Sequence, residues 1–266
     1  MEPRDAATVM LVRDGQDGME VFMLRRNLAS TPWGGLYLFP GGAVDEADRH
    51  ADLESACRGR SDEQASAILG LDRGGLAFWV AAVRECFEEA GVLLASDADG
   101  EVISFADDET AARFDAHRTA VDSGDRRILD VLTAEALSIT AGDIHYMSHW
   151  ITPEGAPRRY DTRFFVAAAP RYQIPLHDDR ETIAHVWLRP ADALERQRAG
   201  ELEMLPPTIE NLKAIGRFAT SAELLAAAAN AAVPTILPRL APGDTAHGVR
   251  ILLPGDEGYD DALPSA

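Results

Sequence analysis

Residues 77–94, AFWVAAVRECFEEAGVLL, hold the feature that most limits how this 266-residue chain folds. The run is long, apolar and free of proline, and Gly91 ends it as a left-handed helix stop. At about 100° per residue, Trp79, Val83, Cys86, Phe87 and Ala90 fall in one stripe about 100° wide, a core-facing surface. Glu85, Glu88 and Glu89 fall together on the other side, spaced i, i+3 and i+4, so they are neighbours on one face. No lysine separates them, and each like-charged pair costs a few tenths of a kcal/mol even in water, about 0.2–0.5. A divalent cation offsets that repulsion, and carboxylate oxygens suit Mg²⁺ or Mn²⁺. The plain alternative is a solvated face of a surface helix. The surroundings argue for chemistry instead: Arg84 directly precedes the three acids, Gly91-Val92 follows them, and Phe39-Pro40-Gly41-Gly42 lies upstream.

The rest of the chain predicts strands and helices around that helix. ATVMLVR (7–13) and EVFMLR (20–25) are β-prone runs joined by DGQDG, a hairpin signal. LYLFPGG (36–42) is a short strand stopped by proline and glycine. Residues 49–76 form a helical insertion, with Ser61 and Gln64 as a capping box and Gly70 as a stop. Helical segments follow within 105–138. IHYMSHWITP (144–153), TRFFVAAAP (162–170) and IAHVWLRP (183–190) read as strands, and ADALERQRAG, PPTIENLKAIGRF and SAELLAAAANAA as helices. The expectation is one α/β domain over 1–232, layered around a mixed sheet, and an irregular C-terminal tail over 233–266.

Arg84-Glu85-Cys86-Phe87-Glu88-Glu89-Ala90-Gly91-Val92 resembles the second half of the signature of the Nudix hydrolases, G-x5-E-x7-R-E-U-x-E-E-x-G-U with U aliphatic. Every fixed position matches, with Cys86 a weak U. Gly42 supplies the first glycine, and Asp48 stands at the spacing of the first glutamate. Between Asp48 and Arg84 lie 35 residues in place of seven. That interruption is similar to the split-box branch of the family, the branch of the mammalian peroxisomal coenzyme A diphosphatase. Further pieces follow in order (VFMLRR, PRRYDTRFFVAAAP, ETIAHVWLRP), so the resemblance spans about residues 7–215.

The resemblance implies a Nudix-type α/β/α sandwich and a hydrolase that splits a diphosphate with Mg²⁺ or Mn²⁺. It implies metal ligation by Glu88 and Glu89, joined by a backbone carbonyl of the double glycine, Gly41 or Gly42. Arg84 would orient the glutamates. Glu85 would be a further ligand or the base that activates water, and Glu181, six residues before Trp187, is the other candidate base, with Asp178 and Asp179 as substitutes. The implied substrate is a nucleoside diphosphate linked to another moiety, foremost coenzyme A or an acyl-coenzyme A, which would give 3′,5′-ADP and phosphopantetheine or its acyl form. ADP-ribose, NADH or another dinucleotide is the alternative, and a silent nucleotide-binding module the second. Thr31 stands where the coenzyme A-specific branch with an uninterrupted box has an arginine, a motif the split-box branch does not need.

An anionic substrate needs local cations, and arginine suits phosphate geometry. Arg25 and Arg26 end a strand near Phe39-Pro40-Gly41-Gly42, and Arg158, Arg159 and Arg163 form the densest basic cluster, with Arg159 the candidate phosphate ligand there. Trp33 and Tyr37 could stack on an adenine or simply pack. His145 and His149 lie on a strand-like run, where i and i+4 are about 13 Å apart, too far for a shared zinc.

The 25 Lys and Arg against 44 Asp and Glu give a net charge of −19, which argues against a nucleic-acid partner. No apolar run reaches the roughly 18–20 residues of a membrane span, so no membrane partner is expected. Two cysteines and a start without a signal-like core lead to a cytoplasmic expectation. A homodimer stays open, through the insertion or the 107–137 helices.

Overall fold

The computed structural model describes residues 1–29, 34–178, 181–243 and 249–262; Thr31, Trp33 and Asp179 lie outside them. The hairpin at the front of the chain forms from β1 (Arg4–Gly15) and β2 (Gly18–Arg26), with Gly15 opposite Gly18 across a two-residue turn. Next come β3 (Tyr37–Leu38) and β4 (Gly41–Ala43), which share the expected strand between them because Phe39-Pro40 redirects the chain. β3 pairs with β2, and β4 crosses to pair with β1.

Residues 46–53 make two short 3-10 turns, and α1 (Asp62–Leu69) carries the capping box of Ser61 with Gln64 and the left-handed Gly70 stop. α2 (Leu76–Ala90) follows. β5 (Ala95–Ser96), α3 (Asp108–Asp122), α4 (Ile128–Ala134) and β6 (Ser138–Ile139) form a side structure in which β5 and β6 pair. β7 (His145–Ile151), β8 (Tyr160–Ala168) and β9 (Thr182–Leu188) complete the sheet, and α5 (Pro190–Arg198), α6 (Pro206–Ile215) and α7 (Ser221–Ala228) follow.

The segment expected to be an irregular tail holds strands. β10 (Thr235–Ile236) joins β7 in parallel, and β11 (Arg239–Pro242) pairs with β12 (Val249–Leu252). None of the three shows in sequence: Pro234, Pro238, Pro242 and Pro254 lie in or beside them, and strands of two to four residues have no periodicity to read. The main sheet runs β10-β7-β8-β1-β2-β3, with β4 on β1 and β9 on β2. β8 is parallel to β1, whereas β2 is antiparallel to it, so the sheet is mixed.

The period of two along each strand divides the core into two layers. Ala7, Val9 and Leu11 of β1, Phe22 and Leu24 of β2, and Phe165 and Ala167 of β8 face α2. Met10 and Val12, Val21 and Met23, and Phe164 and Val166 face α5–α7. Both faces of the central strands are covered, so Val9–Val12 and Val21–Leu24 are apolar without alternation. The result is the α/β/α sandwich. No helix among the described residues is long and apolar enough to cross a membrane.

Candidate active site

α2 lies on the sheet with its N-terminus held by the insertion. The Asp62 carboxylate of α1 accepts from the backbone N–H of Gly74 and of Leu76, and Ser66 Oγ accepts from Gly75 N–H. Those bonds satisfy donors that a helix start leaves open, and Gly75 itself has no side-chain cap. A Cβ on Gly75 would stand 2.6 Å from the Ala65 carbonyl carbon, so only glycine lets α1 approach so closely. The insertion that splits the signature therefore anchors the helix it precedes.

The far end of α2 is equally complete. Gly91 (φ 66°) turns the chain, its N–H bonds Phe87 O, and Val92 N–H bonds Cys86 O. Arg118 of α3 donates to Glu88 O and Glu89 O, each at 2.9 Å, and Leu176 N–H bonds Ala90 O. α3 carries no signature in sequence, and nothing in a surface-like helix marks one arginine as a helix clamp.

α2 is not a surface helix. Of its 15 residues, all but Glu85 and Glu88 are buried, and Glu89 is only 7% exposed. Its acids line a closed face, not a solvated one. Arg84 sits at the centre and uses all five of its N–H donors. Nε and Nη2 form a two-pronged pair with Asp48, both at 2.9 Å, and Nη2 also reaches Ala43 O at 2.8 Å. Nη1 donates to Glu85 Oε1 at 2.9 Å and to Glu88 Oε2 at 2.8 Å. Asp48 thus clamps Arg84 from across the insertion and also accepts from Asp45 N–H. Glu89 turns the other way, and its Oε2 accepts from Gly41 N–H at 2.9 Å.

The strand register explains the double glycine. Val9 N–H bonds Pro40 O and Val44 N–H bonds Asp5 O, so the bonded rungs alternate through Ala7 and Gly42. The backbone groups of Gly41 point away from β1, toward Glu89. Gly42 packs against the Glu85 side chain, and a Cβ there would stand 2.5 Å from Glu85 Cδ.

Electrostatically the site is crowded with acids. Burial first, then the charges of Asp48 and Glu181, raise the Glu85 carboxyl above its usual range, against the opposing pull of Arg84. Burial and Glu85 push Glu88 up to about 7, again with Arg84 opposing. Burial, Glu85, Glu181 and Asp178 raise Glu89 well above the ordinary value, with the Gly41 hydrogen bond opposing. Arg84 is itself raised, since its acidic partners outweigh a burial that would lower it. Burial dominates the carboxylates and pairing dominates the guanidinium, as expected for one cation shared among three acids. Glu181 and Asp178, distant in sequence, therefore act on the same cluster. The Asp178 carboxylate accepts from the N–H of Glu181 and of Thr182, which shapes that loop.

The hard-oxygen donors of Glu85, Glu88, Glu89 and the double glycine fit a divalent cation. With Glu85 and Glu88 held by Arg84 and Glu89 by Gly41, no group of three or more His, Cys, Asp or Glu side chains among the described residues stands as a ready cage.

Of the arginines expected to meet phosphate, Arg25 and Arg26 reach the Glu181 side. Arg26 lies opposite Thr182 across β2 and β9, and Asn27 N–H bonds Glu181 O. Arg26 Nε is buried with no hydrogen-bond partner among the described residues, while Arg25 leans over the Tyr37 ring. Arg159 is placed differently. It donates to Thr152 O and Met1 O, tying the β7–β8 loop to the start of the chain. Arg163 is buried over the Phe78 ring and ion-paired with Asp161, which also binds His149.

Comparison with known proteins agrees with this geometry. Residues 57–215, more than half of the chain, match the NUDT19 Nudix domain. The chain is 28% identical to human acyl-coenzyme A diphosphatase NUDT19 over 91% of its own length and 73% of that protein's. It is 27% identical to the chicken (Gallus gallus) protein of the same name over 97% of its own length and 80% of that protein's. A Nudix hydrolase from Alicyclobacillus acidocaldarius, 28% identical, superposes with a TM-score of 0.69 over 85% of this chain and 96% of that one. The chain belongs to the Nudix hydrolases, in the family of the NUDT19 Nudix domain, and is a Nudix pyrophosphohydrolase.

Proposed function

We propose that the protein hydrolyses the diphosphate of coenzyme A or acyl-coenzyme A, in a divalent-metal-dependent reaction, to 3′,5′-ADP and phosphopantetheine or its acyl form. The observation that carries the reaction class is the five-donor Arg84 hub, which holds Glu85 and Glu88 beside Glu89 and the double glycine. The substrate rests on similarity to proteins named acyl-coenzyme A diphosphatase over most of the chain.

In this reading Glu88, Glu89 and a glycine carbonyl would hold Mg²⁺ or Mn²⁺, with Glu85 as a further ligand or as the base. The register favours the carbonyl of Gly41, where the sequence left Gly41 or Gly42 open. When bound, the cation supplies Lewis acidity and neutralises charge gathering on the phosphoryl oxygens. Arg84 keeps the carboxylates in place throughout. Arg26, whose Nε has no partner among the described residues, and Arg25 receive the substrate's phosphates. Water attacks phosphorus, the P–O–P bond breaks, and the water's proton passes to a carboxylate, Glu85 or Glu181. Burial makes Glu85 a stronger base than a solvated glutamate.

The test is phosphate-monoester release from coenzyme A, acetyl-coenzyme A, ADP-ribose, NADH and a diadenosine polyphosphate with Mn²⁺ or Mg²⁺, with Glu88→Gln as control. The expected result is cleavage of coenzyme A and acetyl-coenzyme A, lost in the control. Turnover of ADP-ribose or NADH alone discards the coenzyme A substrate, and silence with a folded, metal-binding protein discards every substrate on the panel.

A further inference from the structure

Two histidines that the reaction leaves unused meet beside Glu181. His177 precedes the Glu181 loop, His185 follows it in β9, and their Nδ1 atoms stand 2.7 Å apart. At that distance one ring donates and the other accepts, so a single proton bridges the pair. Burial first, then the neighbouring His177, hold the His185 imidazole below its ordinary value, which keeps an uncharged ring in the bridge.

Both rings are anchored. His185 lies opposite Leu24 in the β2–β9 ladder and stacks on Phe22 at 5.8 Å, and Phe22 is fully buried in the layer that faces α2. His177 follows Leu176, whose N–H bonds Ala90 O and whose carbonyl accepts from Arg118, the arginine that also holds Glu88 O and Glu89 O. The pair thus links the segment tied to the end of α2 with the sheet. Glu181 lies between the two histidines in sequence. Its carbonyl accepts from Asn27 N–H, and the Asp178 carboxylate accepts from the N–H of Glu181, the N–H of Thr182 and the Thr182 hydroxyl. The charge of Glu181 raises both Glu85 and Glu89, so it reaches the carboxylate cluster. Glu85 is engaged by Arg84 and packed on Gly42, whereas Glu181 is exposed. A side chain with so little packing takes its direction from its backbone, and that backbone is held at the loop's two ends.

We propose that His177 and His185 are positioning residues that direct the Glu181 carboxylate as the base of the hydrolysis, by joining the two ends of its loop through one shared proton. The inference rests on the diphosphatase reading of the site. Within it, the attacking water's proton passes to Glu181, and the histidines touch neither substrate nor metal. The pair is not itself a metal centre, since no group of three or more His, Cys, Asp or Glu side chains among the described residues could hold an ion.

The test is a double-variant cycle on the full chain, with coenzyme A and Mn²⁺, read in kcat and KM. Glu181→Gln should lower kcat by about 10²–10⁴-fold, the usual contribution of a general base. His185→Phe keeps a ring on Phe22 and removes the nitrogens, and His177→Leu removes the other partner. Each should lower kcat about tenfold, as a misdirected base does, with KM within about twofold of wild type. In the Glu181→Gln background, His185→Phe should change kcat by less than about twofold, because residues that act as one unit are not additive. His185→Asn, whose amide either donates or accepts near the place of Nδ1, should return kcat to within about threefold of wild type. Equal losses from His185→Phe with and without Glu181 overturn the proposal, as does a failure of His185→Asn to rescue or a change confined to KM. A kcat untouched by Glu181→Gln also overturns it and gives the water's proton to Glu85, with coenzyme A cleavage intact. If ADP-ribose is turned over and coenzyme A is not, the substrate reading falls, and the same cycle run on ADP-ribose decides the pair.

Discussion

Asp48→Ala tests whether the Arg84 hub is what organises this site. The Asp48 side chain is wholly buried, and that of Arg84 is 10% exposed, so water cannot replace the lost partner freely. The substitution removes two charge-assisted bonds of 2.9 Å and leaves Asp45 N–H without its acceptor. Such bonds contribute about 1.5–3 kcal/mol each, and breaking one side of a buried pair costs about 3–5 kcal/mol. Arg84 keeps Glu85, Glu88 and Ala43 O, which holds the loss to the lower part of that range, about 3 kcal/mol. For a chain of this size that is a fall in Tm of about 6–12 °C. Urea unfolding followed by tryptophan fluorescence gives the free energy, and diphosphate hydrolysis gives the functional loss, expected to be at least about tenfold in kcat as Glu85 and Glu88 lose their orientation. Arg84→Met closes the cycle. Because both residues act in one network, the double variant should be less destabilised than the sum of the singles by about 1–3 kcal/mol. A loss within about 0.5 kcal/mol for Asp48→Ala, or a strictly additive cycle, refutes the hub.

Two further predictions separate position from chemistry. A Cβ at Gly41 would stand 2.5 Å from Ala7 O and 2.6 Å from Thr8 Cα, both backbone atoms that cannot yield, whereas one at Gly42 meets only the movable end of Glu85. Gly41→Ala should therefore lower Tm strongly, and Gly42→Ala should leave Tm within a few degrees while cutting kcat; equal effects in thermal melts and kinetics would contradict the register. Glu88 has a folded pKa of about 7 against an ordinary 4.5, so the metal-free folded state binds more protons than the unfolded one between those values. Its contribution to stability is full below about 4.5 and lost as pH rises through about 7, while binding of Mn²⁺, which needs the ionised carboxylate, strengthens over the same range. Calorimetric Mn²⁺ titrations in buffers of different ionisation heat should show proton release at about pH 6 that fades by about pH 8; pH-independent binding would remove Glu88 from the ligand set.

Local patterns in the chain carried much of this protein. The Asp-Gly turn, the Ser61–Gln64 box, Gly70 and Gly91 each act through a bond to a neighbour a few residues away, so their outcome is set by short-range chemistry. The spacing of Glu85, Glu88 and Glu89 likewise follows from helical geometry alone. Other features depend on where distant segments meet. α2 reads as amphipathic, yet it is covered on nearly every side, because the insertion, β4 and α3 close over the face that periodicity leaves polar. Arg84 and Asp48 are joined across the insertion, and Arg118 reaches α2 from a helix with no signature of its own. Arg159 and Arg26 look alike in sequence, but one is tied to the carbonyls of Thr152 and Met1, and the other is half-buried beside the Glu181 loop, its buried Nε without a partner among the described residues. The Gly41–Gly42 pair shows the same division within two residues. Sequence marks both as sites of close approach, and only the alternation of β1–β4 rungs turns one toward Glu89 and the other into the ladder. Periodicity and capping are local and repeat wherever the residues recur. Burial, ion pairing and hydrogen-bond direction belong to pairs of segments, and they exist only once the sheet has chosen its neighbours.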